Sequence, residues 1–234
     1  MRRQAFFATP ERRLVQLRHV RWIGGGSGAG KTTVARQLAA DYGLRLYHCD
    51  ATIGAHVSRM APADAPLLQA FLSMDMDERW VNHPPDVMFK TFPWFAGEGF
   101  DLILDDLLAL PQEPPILVEG FRLLPRLVAS LLSLPHQAVW LVPSPAFRRI
   151  AFDRRGFTWE IPNRTSQPER ALSNLLLRDQ IFTDAVIAEA IALRLRVIEV
   201  DGGLSIAEET NRVARCLGLS AHSLSHCRRG RHLL

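Results

Sequence analysis

The 234-residue chain is poor in lysine: of its 28 basic side chains only Lys31 and Lys90 are lysines, and the rest are arginines, so each lysine is informative. Cysteine is scarce too. Cys49, Cys216 and Cys227 form an odd, scattered set that excludes a disulfide framework and offers no zinc spacing, so all three are expected to be structural or incidental. No apolar run reaches the roughly 18 residues of a membrane span, because Arg122, Pro125 and Arg126 interrupt the greasiest stretch, Phe121 to Leu134. The first residues, MRRQAFFATPERR, hold only a short apolar patch, so no signal peptide is expected. These absences predict a cytoplasmic protein with no membrane partner.

What is present fits a globular chain. Apolar residues make up 47% and charged residues 22%, which fits neither a disordered nor a collagen-like sequence. The net charge of +4 is unevenly spread. Residues 1–36 carry eight basic and one acidic side chain, residues 37–120 four and thirteen, residues 121–180 nine and four, and residues 181–234 seven and six. An acidic middle between basic flanks lacks the continuous basic stripe of a nucleic-acid binder, so no nucleic-acid partner is expected, while a small phosphate ligand is allowed.

Five short apolar segments, at 19–25, 44–49, 115–120, 138–143 and 196–202, are each followed by a helical pattern. Strands alternating with helices predict a three-layer α/β fold around a parallel sheet. The first helix is expected over Lys31 to Tyr42, stopped by Gly43. Ser144-Pro145 reads as the start of a helix that Gly156 closes. Ser166 and Glu169 have capping-box spacing ahead of a long helix to about Leu195, and Ser205 is positioned to cap a last helix to about Leu217. Residues 1–220 read as a single domain, and the tail 221–234 as flexible.

Residues 51–114 are far longer than a crossover needs and are rich in acid and aromatics. They read as an inserted helical element, either with its own aromatic core or serving to bind a substrate.

Between the first strand and first helix runs Gly24-Gly25-Gly26-Ser27-Gly28-Ala29-Gly30-Lys31-Thr32-Thr33, which contains G-x-x-x-x-G-K-[ST] from Gly25. Glycines let successive backbone N–H groups point inward around a phosphate, and the helix start adds its positive dipole end. Lys31 then bridges the β- and γ-phosphates, and the Thr32 hydroxyl coordinates magnesium. The same stretch satisfies G-x-G-x-x-[GA] through Gly24, Gly26 and Ala29, with Asp50 about 20 residues on, which is a dinucleotide fingerprint. That reading gives Lys31 and Thr32 no task.

The loop resembles that of P-loop NTPases. The form G-G-S-G-A-G-K-T-T is similar to uridine kinases, Asp50-Ala-Thr-Ile53 to shikimate-type kinases, and the third-strand Glu119-Gly120 to the same small-molecule kinase group. The stretch TFPWFAGEGFDLILDDLLALP with VEGFRLLPRL also resembles uncharacterised bacterial P-loop kinase-like proteins. The resemblance implies a five-stranded parallel sheet in the order 2-3-1-4-5, with ATP and Mg2+ as cofactors and a monomeric or homodimeric enzyme.

It also implies roles. Gly25 to Thr33 and Arg148 bind the nucleotide, together with Asp201 past the fifth strand. Lys31, Asp50, Glu119, Arg149 and Arg155 serve catalysis, and Thr32 with Glu119 holds the metal. Asp50 is the leading proton acceptor and Glu119 the magnesium assistant, with the two roles exchangeable.

Arginines 148, 149, 154, 155, 164, 170 and 178 crowd region 144–180, the pattern of a lid closing over ATP. The expected activity is transfer of the ATP γ-phosphate to a hydroxyl of a nucleoside, sugar or antibiotic-like molecule. A nucleoside monophosphate kinase is the alternative, although only Arg59, Arg79, Lys90 and Arg122 lie near enough to hold a second phosphate. A nucleotide-binding regulator without kinase activity is the alternative of another class.

Overall fold

The computed structural model describes residues 14–155 and 158–219, with the side chain of Arg155 outside that set. Strand β1 (Val20–Gly25) leads through the glycine-rich loop into helix α1 (Lys31–Tyr42), which stops at Gly43, and then into β2 (Arg45–His48). The long connection follows as α2 (Ile53–Val57), α3 (Pro66–Ser73), a π-helical turn at Glu78–Asn82, α4 (Pro85–Thr91), α5 (Pro93–Ala96) and α6 (Phe100–Ala109). The rest of the chain forms β3 (Ile116–Glu119), α7 (Pro125–Val128), β4 (Ala138–Pro143), α8 (Pro145–Arg155), α9 (Pro168–Ala192), β5 (Arg196–Val200) and α10 (Ile206–Cys216).

All strand pairs are parallel, and the sheet order is β2-β3-β1-β4-β5. Successive side chains of a strand point to opposite faces, and here both faces are apolar because helices cover both. Val20 and Trp22 of β1 and Ala138, Trp140 and Val142 of β4 pack with α6, α7 and α9. Their neighbours Ile23, Val139 and Leu141 pack with Val34, Ala35 and Leu38 of α1 and Val213 and Ala214 of α10. Each such fully buried aliphatic side chain contributes about 1.5–3 kcal/mol relative to exposure. The result is a three-layer α/β architecture, as expected from the alternation of elements.

Local signals were legible in most places. Ser205 caps α10 through a reciprocal box with Glu208, and the Ser144 hydroxyl accepts from the Phe147 N–H at the start of α8. Ser166 departs from expectation. It makes no cap, α9 begins at Pro168 after Gln167, and the Ser166 N–H donates to Asp77 of the long connection. Helix α9 also ends earlier than expected, because Arg194 turns to φ 56° and the Leu195 N–H closes back on the Ala190 carbonyl.

The aromatics of residues 51–114 help build two small clusters made largely within the long connection, one around Trp80 and one around Trp94, and are also tied to the main core. Phe71, Trp80 and Phe92 pack edge to face, but Phe95 stacks on Phe182 of α9 with ring centroids 3.9 Å apart, which joins them to the main core. Such a pair adds roughly 0.5–1.5 kcal/mol beyond its buried area. Cys49 and Cys216 are free thiols, while Cys227, Gly156 and the tail 221–234 lie outside the described residues. Among the described residues no helix is long and apolar enough to cross a membrane.

Candidate functional site

The loop between β1 and α1 sits at the carboxyl end of the central strand, where ligands gather in an open parallel sheet. It curls through three glycines of positive φ: Gly25, Gly28 and Gly30. A Cβ at Gly25 would lie 1.9 Å from the Leu141 carbonyl oxygen, so this position admits only glycine. Helix α1 opens with no acidic residue in its first turn, which leaves its N–H groups and positive dipole end to an outside anion. Lys31 is buried and its Nζ donates to the Gly26 carbonyl at 2.8 Å, spanning the loop from inside.

Register places the first carboxylate. Glu119 of β3 pairs with Ile23 on one side and His48 on the other, so its side chain shares their face of the sheet, the face that α1 covers. It is 3% exposed and meets the first turn of α1. The Thr32 hydroxyl lies 3.2 and 3.3 Å from its two oxygens, and His48 Nδ1 lies 2.6 Å from Oε1. Among the described residues no three His, Cys, Asp or Glu side chains gather as a metal cage. Thr32 and Glu119 offer hard oxygen ligands of the kind magnesium takes when phosphates and waters complete its shell.

Asp50, just past β2, is the second carboxylate. Its Oδ2 accepts from the Phe121 N–H at 3.2 Å. Burial pushes its carboxyl above the ordinary value, against the pull of the Lys31 charge and the Phe121 N–H. Space for it exists because residue 120 is glycine: at φ 151°, a Cβ there would come 2.2 Å from Cys49 Sγ and 2.5 Å from Asp50 Oδ1. Burial also pushes the Cys49 thiol well up, which keeps it un-ionised and inert.

Behind Asp50 lies a polar cluster that the sequence analysis did not single out as a unit. Arg122, 1% exposed, donates to the Cys49 carbonyl at 3.1 Å and the Gly99 carbonyl at 2.9 Å, and lies 3.0 Å from His56 Nδ1. Since a guanidinium only donates, Nδ1 accepts, and the His56 proton sits on Nε2, 2.8 Å from Asp106. Tyr47 and Arg59 donate to the same carboxylate. Burial holds His56 below its usual pKa, with the Arg122 charge adding to the effect. Burial raises Asp106, but the hydrogen bonds from His56, Tyr47 and Arg59 outweigh it and leave the carboxyl below its ordinary value.

The expected lid arginines divide. Arg148 is buried beside the loop, its Cγ 3.4 Å from where a Gly28 Cβ would be, and it donates to Gln180 and Thr183 of α9. Arg149 is exposed, and Arg155 ends α8 with its side chain outside the described residues. Asp201 is exposed past β5 and accepts from the Gly203 N–H at 2.8 Å in a local turn. No family model matches the chain, and no curated protein matches it either.

Arg178 is drawn inward instead of toward solvent. Its guanidinium lies 5.0, 4.7 and 5.2 Å from the ring centres of Trp80, Phe92 and Phe95, and it donates to Asp179 at 2.7 Å. No sequence period marks such a cage, because its members come from the long connection and from α9. The same holds for the contact of His48 with Glu119, which only strand register creates.

Proposed function

We propose that this chain is a P-loop kinase-like phosphotransferase that moves the γ-phosphate of ATP to a hydroxyl of a small molecule, with magnesium. The observation that carries the reading is the meeting of Thr32 and Glu119 at the start of α1, beside a loop spanned by Lys31 and a raised, buried Asp50. A dinucleotide site would leave these groups without a task. Gly25 to Thr33 wrap the phosphates with backbone N–H groups, and Lys31 supplies the point charge on the β- and γ-phosphates. Thr32 and Glu119 hold magnesium, which neutralises charge on the phosphate oxygens.

In the transfer step the acceptor oxygen forms a new bond to the γ-phosphorus. The bond from that phosphorus to the β,γ-bridging oxygen breaks, ADP leaves, and the hydroxyl proton passes to Asp50. Its raised pKa makes Asp50, once ionised, a better proton acceptor than an ordinary aspartate. Arg149, Arg155 and Asp201 remain proposed contacts to the nucleotide.

The monophosphate-kinase alternative finds less support. Each basic side chain named for a second phosphate is engaged elsewhere: Arg59 with Asp106, Arg79 with the Phe71 and Leu72 carbonyls, Lys90 with Asp86, and Arg122 with Cys49, Gly99 and His56.

Multiple-turnover ADP release, dependent on an added hydroxyl compound, tests the reading. In Lys31→Ala the rate is expected to fall by about 10²- to 10³-fold or more with the thermal transition retained. Nucleotide binding without acceptor-dependent ADP release would assign a regulator instead, and micromolar NAD binding without ATP binding would assign a dinucleotide protein.

A further inference from the structure

His48 is the last residue of β2, and the parallel register pairs it with Glu119, the last residue of β3. Register partners carry their side chains on one face of the sheet. The ladder continues past the strand ends, where the Cys49 N–H donates to the Glu119 carbonyl at 3.0 Å. The backbone that carries the imidazole is therefore bonded to the residue whose carboxylate the imidazole meets, with Nδ1 lying 2.6 Å from Oε1.

The two partners differ in exposure: the Glu119 side chain is 3% exposed and that of His48 30%. A carboxylate withdrawn from water in this way needs donors from the protein. Two side chains supply them, and they do so differently. The Thr32 hydroxyl lies 3.2 and 3.3 Å from the two oxygens, so it does not distinguish one from the other. The imidazole does, because its contact is with Oε1. A carboxylate that serves a metal is ionised and only accepts, so Nδ1 carries the proton. Holding one oxygen from a rigid strand end sets the orientation of the whole carboxylate group.

We infer that His48 is a positioning residue of the magnesium site: its Nδ1–H holds the Glu119 carboxylate in the orientation in which it serves the metal, and what it contributes is a hydrogen-bond donor placed by strand register. The inference rests on the phosphotransfer reading above, through its assignment of Thr32 and Glu119 to magnesium. Outer partners that orient metal-binding side chains typically contribute about 10- to 100-fold in metal affinity.

The test measures how much magnesium tightens a non-hydrolysable ATP analogue on the full chain, by calorimetric titration with and without saturating magnesium. The ratio of the two dissociation constants is a coupling between bound ligands and needs no turnover. His48→Asn and His48→Leu share one branched shape, but only asparagine places an N–H where Nδ1 stands. His48→Leu is expected to lower the ratio about tenfold or more, with the metal-free affinity within threefold of wild type. His48→Asn should keep the ratio within threefold. His48→Phe, which retains a ring without nitrogens, should repeat the leucine result and takes its place if thermal melting shows His48→Leu unfolded.

An unchanged ratio in the variants without a donor would overturn the inference. An equal fall in His48→Asn would overturn it too, by giving the effect to the imidazole itself and not to its N–H. Loss of metal-free and metal-bound affinity together, at constant ratio, would make His48 a residue of the fold alone. Equal affinity with and without magnesium in the wild type would remove both the inference and the metal assignment. The expected pattern without acceptor-dependent ADP release would leave His48 in its role and sink the kinase reading, whereas acceptor-dependent ADP release with an unchanged ratio in the variants would do the reverse.

Discussion

The Thr32 hydroxyl lies 3.2 Å from Glu119 Oε1, joining the first turn of α1 to the end of β3 across 87 residues of sequence. The contact exists because β3 lies next to β1 in the sheet, which sets Glu119 opposite Ile23 and under the start of the helix that β1 feeds. A hydroxyl and a carboxylate held together beside the glycine-rich loop are oxygen ligands of the type magnesium takes. His48 fixes the carboxylate from the other side.

The two carboxylates are separable by their chemistry. Glu119→Gln keeps the shape but removes charge, so it should raise the magnesium concentration needed for half-maximal rate by tenfold or more while kcat at saturating metal falls less. Asp50→Asn should depress kcat by about 10²- to 10⁴-fold with ATP affinity nearly unchanged. In the wild type, the proposed activity should rise with pH as Asp50 ionises, with burial setting that acid limb above the ordinary aspartate range. A pH–rate profile of kcat/KM checks this. An acid limb in the ordinary carboxylate range, or one that persists in Asp50→Asn, would move the base elsewhere.

Gly120→Ala should act on Asp50 through space. The added methyl collides with Cys49 Sγ and Asp50 Oδ1 at a φ that alanine avoids, so overpacking alone is expected to cost about 1–3 kcal/mol. Thermal melting reports that loss. Turnover should drop further than the stability change explains, because the carboxylate is pushed off the Phe121 N–H. Wild-type kcat in a folded Gly120→Ala would show that the position of Asp50 does not matter.

Arg148 is predicted to be structural as much as functional. Its guanidinium ties α8 to α9 through Gln180 and Thr183 beside the loop, so Arg148→Ala should lower the melting temperature by several degrees. Arg149→Ala, at an exposed site on the same helix, should leave stability unchanged. Parallel differential scanning calorimetry separates the two, and equal melting temperatures would deny Arg148 its tie.

The His56 cluster predicts a pH dependence of stability. The pKa of His56 is lowered by folding, so below the unfolded value of about 6.5 the unfolded chain takes up a proton that the native state refuses. Stability is therefore lost as pH falls from about 6.5 toward the native pKa. Asp106 adds a second loss at lower pH: its folded pKa is depressed, so its contribution is present above the unfolded value near 4 and disappears as pH falls through the folded one. Melting temperature against pH for wild type and His56→Gln checks the first step. A slope between pH 7 and 5 that survives unchanged in His56→Gln would remove His56 as its source.

Sequence by itself determined the features whose causes are local. Glycines, Lys31 and Thr32 at fixed spacing between a strand and a helix marked the loop that curls through three positive-φ glycines ahead of α1. The alternation of apolar strands with helices fixed the layering, and Gly43 and Ser205 ended and began helices through contacts only a few residues long. Asp50 and Glu119 were visible because each stands at the carboxyl end of its strand.

Tertiary structure decided what depends on partners far apart in the chain. Strand register set His48 against Glu119, and burial behind β2 locked Arg122, His56 and Asp106 together. Phe95 was drawn into the main core against Phe182, and with Trp80 and Phe92 it cages the Arg178 guanidinium. Even the Ser166 capping signal yielded to a distant acceptor, Asp77. In each case a buried polar or aromatic group must find its partner wherever packing delivers one, and the spacing of residues along the chain carries no record of that choice.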